Sequence, residues 1–234
     1  MILQGAKPMA MAQLRSMFDN DIAVAISDPQ ASHYRALPQE YHGLPRSADK
    51  RRRAFSAGRA AAHEAMTTLD VPVQPVLFGP DRAPVWPAGL VGSISHSDTC
   101  CIAALAKSDA YLAIGVDVEE NTPLAADLIP TICGPAERTW LDSHPKTKSG
   151  SLAKLIFSAK ECAYKCQYAL TQTLFGFDGF QLIPDLENGQ FTAIFTRTVG
   201  CFASETLLQG RFDMRNGLII TTMSIRADAA GRMI

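Results

Sequence analysis

The residues best suited to chemistry in this 234-residue chain are two acids in a segment that reads Gly-Val-Asp-Val-Glu. On a β-strand, successive side chains point to opposite faces, so Asp117 and Glu119 share one face while Ile114, Val116 and Val118 share the other. Two adjacent carboxylates repel each other unless a cation or a proton intervenes. A solvated edge strand is the alternative interpretation of this pair.

A second group of polar residues lies along a predicted amphipathic helix over residues 151–171. Apolar residues recur there at helical spacing, and the opposite side carries a narrow polar stripe of Lys154, Ser158, Glu161 and Lys165. This stripe has a structural interpretation as an exposed face. In that case a Glu161–Lys165 pair four residues apart would stabilise the helix by about 0.2–0.5 kcal/mol.

Taken together, the strand and the helix predict a cation site. Asp117, Glu119 and Glu161 would supply three hard oxygen ligands without a neighbouring His or Cys, a set that suits Mg²⁺, with Mn²⁺ as an alternative. Mg²⁺ usually shares its ligands with phosphate oxygens. Lys160 and Lys165 flank Glu161 and would meet phosphate charge that the metal does not neutralise.

A dense basic run over residues 50–53 precedes Arg59 in a helix predicted from about Ser47 to Leu69, with Ser47 as its N-cap. A solvated basic turn is the alternative, but arginine favours bidentate contacts with phosphate. Gly58 costs a helix about 1 kcal/mol relative to alanine, which indicates close packing there.

The segment Gly92–Ser97 ends a predicted strand with small residues and exposes His96. A single histidine is more often structural. One that lies beside serine and glycine at a strand end can also donate a hydrogen bond to phosphate.

The rest of the chain predicts an α+β (mixed α/β) fold in two halves, with the boundary just before Tyr111. Asn188-Gly189 and Asn216-Gly217 each lie between alternating apolar runs, which is a strong hairpin signal. A short helix is expected near residues 135–141. Strands are predicted over residues 21–27, 91–95, 100–106 and 111–118.

Composition limits the possible classes of protein. The chain is 47% apolar and has a net charge of −1, which excludes global disorder and gives no sign of a nucleic-acid or membrane-surface binder. No apolar run approaches the 18 residues of a membrane span, and the first residues lack the apolar stretch of a signal peptide. Six cysteines without a CxxC pair indicate free thiols in a reducing cytoplasm.

Four motifs in this order, KRRRAFSAGR, VGSISHS, GVDVE and FSAKECAYK, resemble those of the 4′-phosphopantetheinyl transferases. The similarity is to the Sfp-type enzymes, in particular the enterobactin synthetase component D group, and it runs from about Lys50 to Phe180. It implies two similar subdomains, 1–110 and 111–234, related by a pseudo-two-fold axis, with coenzyme A in the cleft between them.

The resemblance implies transfer of the phosphopantetheine arm of coenzyme A to a serine of an acyl, peptidyl or aryl carrier protein. The second product would be adenosine 3′,5′-bisphosphate. A monomer in siderophore, nonribosomal peptide or polyketide synthesis would fit the group. The alternatives are a non-catalytic module that binds coenzyme A or a carrier, and a metal-dependent diphosphate hydrolase.

Roles for the acids and lysines also follow from the resemblance. Asp117, Glu119 and Glu161 would hold Mg²⁺ against the diphosphate, which Lys160 and Lys165 would line. Lys165 would stabilise or protonate the leaving group. The base that takes the serine proton is either Glu161 or a metal-bound water.

By the same similarity, four residues would bind coenzyme A: Ser95 and His96, of which His96 contacts its phosphates, and Arg51 and Arg59 at the adenosine 3′-phosphate end. Relatives carry a basic residue in the loop where this chain has Phe78. Arg82 is the nearest basic residue and is expected to substitute for it.

Overall fold

Two antiparallel sheets, each covered by one long helix, carry the candidate site. The computed structural model describes residues 9–42, 44, 49–79 and 81–228. Its helices are α1 (Met9–Ser16), α2 (Asp49–Thr68), α3 (Ile129–Ile132), α4 (Pro135–Asp142) and α5 (Lys146–Thr171). Its strands are β1 (Ala23–Ser27), β2 (Leu77–Phe78), β3 (Pro84–Val85), β4 (Leu90–His96), β5 (Cys101–Lys107), β6 (Tyr111–Glu120), β7 (Phe180–Asp185), β8 (Gln190–Phe195), β9 (Leu207–Asp213) and β10 (Leu218–Arg226).

The strand order is β1-β5-β4 in one sheet and β6-β10-β9-β8-β7 in the other, with β2 and β3 forming a small separate hairpin. The mixed α/β prediction is confirmed. Both predicted Asn-Gly turns are also confirmed, since they join β7 to β8 and β9 to β10. Gly189 and Gly217 have φ values of 63° and 79°, in the left-handed region that these turns require.

Each long helix buries one face against its own sheet. Helix α2 is rich in alanine and packs Ala61, Ala62 and Ala65 against β1 and β5. Helix α5 packs Ile156, Ala159 and other small or apolar residues against β6 and β10, in a core that extends to β7, β8 and β9. The predicted apolar stripe of α5 is therefore part of a core.

The start of helix α5 differs from the one that the sequence predicted, and the predicted start of α2 precedes the described residues of that helix. Helix α5 begins at Lys146 rather than near Ser151, because its first turn is polar and carries no apolar residue that periodicity could detect. Gly150 in that turn packs tightly on Pro123. The expected N-cap of α2, Ser47, lies outside the described residues.

The two sheets meet where β4 runs beside β6, and serine side chains join them. The Val116 N–H donates to Ser93 Oγ at 3.1 Å, and the Val118 N–H donates to Ser95 Oγ at 3.4 Å. At this junction serine hydroxyl groups, instead of backbone carbonyls, accept these hydrogen bonds from the N–H groups of β6. They hold the end of β4 next to Asp117 of β6.

All six cysteines are free in the structure, five of them buried and Cys201 exposed. Among the helices that the structure describes, none combines the length and the apolarity that crossing a membrane requires.

Two glycines allow the helices to approach the strands closely. A Cβ at Gly58 of α2 would lie 3.2 Å from Ile94 Cγ2, which accounts for the glycine in a helix interior. A Cβ at Gly115 of β6 would lie only 2.2 Å from the carbonyl oxygen of Cys162 in α5. The backbone of α5 therefore occupies the space beside Gly115.

Gly115→Ala is expected to destabilise the protein by about 1–3 kcal/mol, because either α5 or β6 must move to admit the methyl group. Thermal unfolding measures this loss. Gly89→Ala is the control for altered glycine content, since nothing lies within 4 Å of a Cβ there, although its φ of 84° adds some strain. A Gly115→Ala protein as stable as the wild type would refute the close packing.

Candidate active site

Asp117 lies at the centre of a buried polar network. Its carboxylate is 3% exposed and accepts hydrogen bonds from Lys165 Nζ at 2.6 Å and from Ser95 Oγ at 2.8 Å, both on Oδ1. Ser158 Oγ donates to Oδ2 at 2.8 Å. The interpretation of the polar stripe of α5 as an exposed face is therefore wrong, because Ser158 is fully buried and the stripe faces β6.

Ser95 completes this network. Lys165 Nζ donates to Ser95 Oγ at 2.9 Å, and Ser95 Oγ in turn donates to Asp117. Burial opposes the charge of Lys165, but the Asp117 carboxylate more than offsets it, so the pKa of Lys165 lies above its usual range. Lys165 is therefore an ammonium at neutral pH and pairs with Asp117 rather than with Glu161.

The other two predicted acids lie close enough to Asp117 for their charges to interact. Burial and the Asp117 charge raise the pKa of Glu119, although Lys154 Nζ donates to it at 3.2 Å. Burial also raises the pKa of Glu161, and the charges of Asp117 and Glu119 add to this effect against the opposing effect of Lys165. The site thus gathers negative charge that its two lysines only partly balance.

This donor set fits Mg²⁺ in its chemistry, although the side chains do not form a closed cage. In the part of the chain that the structure describes, no three His, Cys, Asp or Glu side chains are arranged to hold a metal ion. Mg²⁺ is usually held by only one or two carboxylates together with waters and substrate phosphates. Glu119 and Glu161 both have raised pKa values, so a nearby cation would stabilise their charged forms. The site therefore suits an ion that arrives with a phosphate ligand.

Lys160 lies away from this network, contrary to its predicted contact with the diphosphate. Its Nζ donates to Glu137 Oε2 at 2.8 Å, to the Ile132 carbonyl at 2.8 Å and to the Phe177 carbonyl at 2.9 Å. Its side chain is only 2% exposed. An ammonium has three protons, and all three are engaged here, so Lys160 ties α5 to the α3–α4 region instead.

Lys160→Met is therefore expected to lower stability far more than coenzyme A binding. Removal of one partner of a buried ion pair leaves an uncompensated charge, here on Glu137, at a cost of about 3–5 kcal/mol. Thermal unfolding and calorimetric titration with coenzyme A measure the two effects. A stable variant that has lost coenzyme A affinity would restore Lys160 to the binding site.

The predicted cationic residues of the first half line one cavity of about 240 Å³. Its walls include Arg51, Arg59, Arg82 and His96, together with Phe78. The structure thus brings together residues that are separated by up to 45 positions in the chain. Phe78 and Arg82 lie in the same wall, so Arg82 is placed to supply the positive charge that Phe78 lacks.

A larger cavity of about 770 Å³ adjoins the first and shares Arg51 and His96 with it. Lys50 and Arg53 add further positive charge to its lining. Desolvation by the surrounding protein and the charge of Lys165 hold the pKa of His96 below its usual range. His96 lines both cavities and directly follows Ser95, which bonds to Asp117 and Lys165, so it lies where the cationic cavities adjoin the Asp117 network.

On the other side of Glu161 lies an aromatic pocket of about 220 Å³, lined among others by Tyr164, Phe175 and Phe177. The arrangement can take an extended molecule with anionic groups at one end, a reacting phosphate near Asp117 and Lys165, and an uncharged portion beside the aromatic rings. Sequence reasoning did not identify this pocket, since its aromatics come from α5 and from a loop that carries no motif.

Sequence reasoning also missed two structural roles. Ser158 belonged to the polar stripe, but only the structure identifies it as a partner of Asp117. Glu40 was given no role, yet it is fully buried, where its carboxylate pairs with His63 Nε2 at 2.9 Å and accepts from the Val76 N–H at 2.8 Å. A glutamate before a helix gives no local sign of such a position.

Comparison with known proteins identifies the family to which the chain belongs. A family described as the 4′-phosphopantetheinyl transferase N-terminal domain matches residues 39–106, and the 4′-phosphopantetheinyl transferase superfamily matches residues 113–222. The chain belongs to the 4′-phosphopantetheinyl transferase superfamily, and it is a transferase of this kind. Enzymes of this family transfer phosphopantetheine from coenzyme A to carrier proteins.

Individual relatives cover most of the chain. The 4′-phosphopantetheinyl transferase Svp of Streptomyces mobaraensis is 32% identical over 196 residues, which are 82% of this chain and 80% of that protein. The transferase Npt of Nocardia iowensis is 34% identical over 179 residues, 76% of this chain and 77% of its own length. Enterobactin synthase component D of Salmonella typhimurium is 36% identical over 205 residues, 85% of this chain and 84% of that protein.

Proposed function

We propose that this enzyme transfers 4′-phosphopantetheine from coenzyme A to a serine of a carrier protein in a Mg²⁺-dependent reaction, releasing adenosine 3′,5′-bisphosphate. The observation that carries the proposal is the continuity of two sites. Cationic cavities lined by Arg51 and Arg59 meet the network of Asp117 and Lys165 at His96. A nucleotide with a 3′-phosphate and a reacting diphosphate matches that distribution of charge.

In this proposal coenzyme A lies between subdomains 1–110 and 111–234. Each subdomain would pack one long helix on one sheet, and a pseudo-two-fold axis would relate the two. Arg51, Arg59 and Arg82 bind the 3′-phosphate end. His96 contacts the diphosphate, and Ser95 acts beside it by holding Asp117 and Lys165 together. Such charge-assisted contacts orient the phosphate for attack.

Asp117, Glu119 and Glu161 would hold the Mg²⁺, which when bound supplies positive charge to the diphosphate oxygens. Glu161 would receive the proton of the attacking serine, either directly or through a water molecule. The serine oxygen forms a bond to the phosphorus of the phosphopantetheine, and the bond from that phosphorus to the bridging oxygen breaks. Lys165 Nζ bonds to Ser95, to Asp117 and, at 3.2 Å, to the Val116 carbonyl, and it would exchange this longest bond for one to the oxygen that leaves with the nucleotide.

The partners proposed are acyl, peptidyl or aryl carrier domains and coenzyme A, with no nucleic acid and no second copy of the chain. Relatives named enterobactin synthase component D make siderophore synthesis a proposed setting, beside other nonribosomal peptide and polyketide pathways. The free, mostly buried cysteines fit a cytoplasmic enzyme, the localisation we propose.

Product analysis tests the reaction. The purified enzyme is incubated with coenzyme A and Mg²⁺, with and without an apo carrier protein, and nucleotides are separated by chromatography. We expect adenosine 3′,5′-bisphosphate only when carrier and Mg²⁺ are both present, and none in EDTA. Cleavage without carrier would identify a hydrolase, and binding of coenzyme A without cleavage would identify a non-catalytic module.

A further inference from the structure

Two stacked aromatic rings lie beside the guanidinium of Arg59. The Arg59 Cζ lies 4.8 Å from the centre of the Phe55 ring and 5.1 Å from the centre of the Phe78 ring. The two rings are nearly parallel, 20° apart, with their centres separated by 5.2 Å. Arg59 and Phe55 lie one helical turn apart on α2, whereas Phe78 comes from β2 in another part of the chain.

The charge of Arg59 lacks the partner that a buried cation normally has. The residue is 5% exposed, and its Nε has no hydrogen-bond partner among the described residues. Burial lowers the pKa of Arg59 to about 10, and the carboxylate of Glu40 only partly opposes this. Glu40 itself is engaged with His63 and two backbone N–H groups. The aromatic rings therefore replace an anion as the immediate surroundings of the guanidinium.

The Phe78 ring is itself held firmly. Phe78 pairs with Pro84 across the β2–β3 hairpin. Two residues before it, the Val76 N–H donates to the buried Glu40 carboxylate at 2.8 Å. The ring thus lies on a segment anchored at both ends, and it can restrict the plane in which the Arg59 guanidinium lies.

We propose that Phe55 and Phe78 form an aromatic clamp along one side of the Arg59 guanidinium that limits its orientation, and that Phe78 thereby strengthens the preference of this enzyme for a cofactor bearing a 3′-phosphate. The proposal rests on the proposed function and adds a specificity-determining residue to it. Phe78 is a positioning residue, because it acts through Arg59. A guanidinium whose orientation is fixed before binding loses less freedom when it grips a phosphate.

Calorimetric titration with coenzyme A and with 3′-dephospho-coenzyme A tests the clamp. Phe78→Leu keeps an apolar side chain but removes the ring. It is expected to weaken coenzyme A binding by up to about tenfold, because a freer Arg59 side chain must then be ordered on binding, and to change dephospho-coenzyme A binding less than about twofold. Phe78→Tyr restores a ring and is expected to restore the preference. Phe55→Leu removes the opposite ring and is expected to act in the same direction.

Leu77→Ala is the matched control, because Leu77 precedes Phe78 on the same strand, is 43% exposed and does not line the Arg59 cavity. Equal loss of both ligands in Phe78→Leu, or no rescue by Phe78→Tyr, would overturn the clamp. If the wild-type enzyme modifies carriers but shows no preference for the 3′-phosphate, the clamp alone is wrong. If the wild type neither binds coenzyme A nor modifies carriers, the proposed function itself is wrong.

Discussion

Asp117→Asn is expected to reduce carrier modification by at least about 100-fold, the scale at which loss of one preorganised electrostatic group slows an enzyme. Asparagine keeps the size of aspartate and retains one oxygen for Ser95 or Ser158. It removes the negative charge that holds Lys165 at 2.6 Å and that would help to hold Mg²⁺. Carrier modification under saturating coenzyme A and Mg²⁺ measures the effect.

Two further variants make this prediction specific. Asp117→Ala should also lower stability. It leaves the partly buried Lys165 ammonium without its carboxylate partner, and it creates a cavity at a position that is only 3% exposed. Asp213→Asn is the matched control, because among the described residues Asp213 on β9 forms its ion pair with exposed Arg215, outside the site. Near wild-type turnover in Asp117→Asn would remove Asp117 from the reaction.

Arg59→Met is expected to abolish the preference for coenzyme A over dephospho-coenzyme A without destabilising the protein. The lowered pKa of about 10 corresponds to a cost on the order of 3 kcal/mol for keeping the guanidinium charged in its buried position. Methionine fills similar space beside the rings and removes that cost. We therefore expect a melting temperature equal to or above that of the wild type, together with weaker binding of coenzyme A.

Opposite changes in stability and affinity would distinguish a binding residue from a structural one. Arg53→Met is the control for the loss of another arginine of the basic run. Arg53 is half-buried and lies six residues earlier on the same helix. A marked fall in the melting temperature of Arg59→Met with the coenzyme A preference retained would mean that Arg59 stabilises the fold and does not bind phosphate.

Local patterns predicted most of the fold because they depend on neighbouring residues. Asn-Gly turns define their own hairpins, and alternation along β6 placed Asp117 and Glu119 on one side of the strand. The start of α5 was missed because its first turn has no apolar residue. No local pattern could indicate that Val116 and Val118 bond to serines of another sheet, since that contact depends on how two distant strands meet.

The two lysines around Glu161 show where prediction of the site failed. Lys160 and Lys165 lie about 140° apart around a helix of 3.6 residues per turn, so both cannot face the same strand. Periodicity grouped Lys165 with Ser158 and left Lys160 outside the polar stripe. That signal favoured Lys165 alone. The resemblance supplied both lysines, and the structure then placed Lys160 against Glu137.

The electrostatic state of the site could not be predicted from residue types. Arg59 was predicted as a phosphate ligand, but its contact with the stacked rings of Phe55 and Phe78 arises because β2 returns to α2 through a loop without periodicity. In the same way, the raised pKa of Glu161 depends on burial and on acids that come from another element. Both properties follow from tertiary packing.

The most direct test of the central claim is the intact mass of an apo carrier protein after incubation with this enzyme, coenzyme A and Mg²⁺. We predict that the carrier gains the mass of one phosphopantetheine, that EDTA prevents the gain, and that Asp117→Asn enzyme produces almost none. An unchanged mass across acyl, peptidyl and aryl carriers, with the coenzyme A intact, would contradict the proposed reaction.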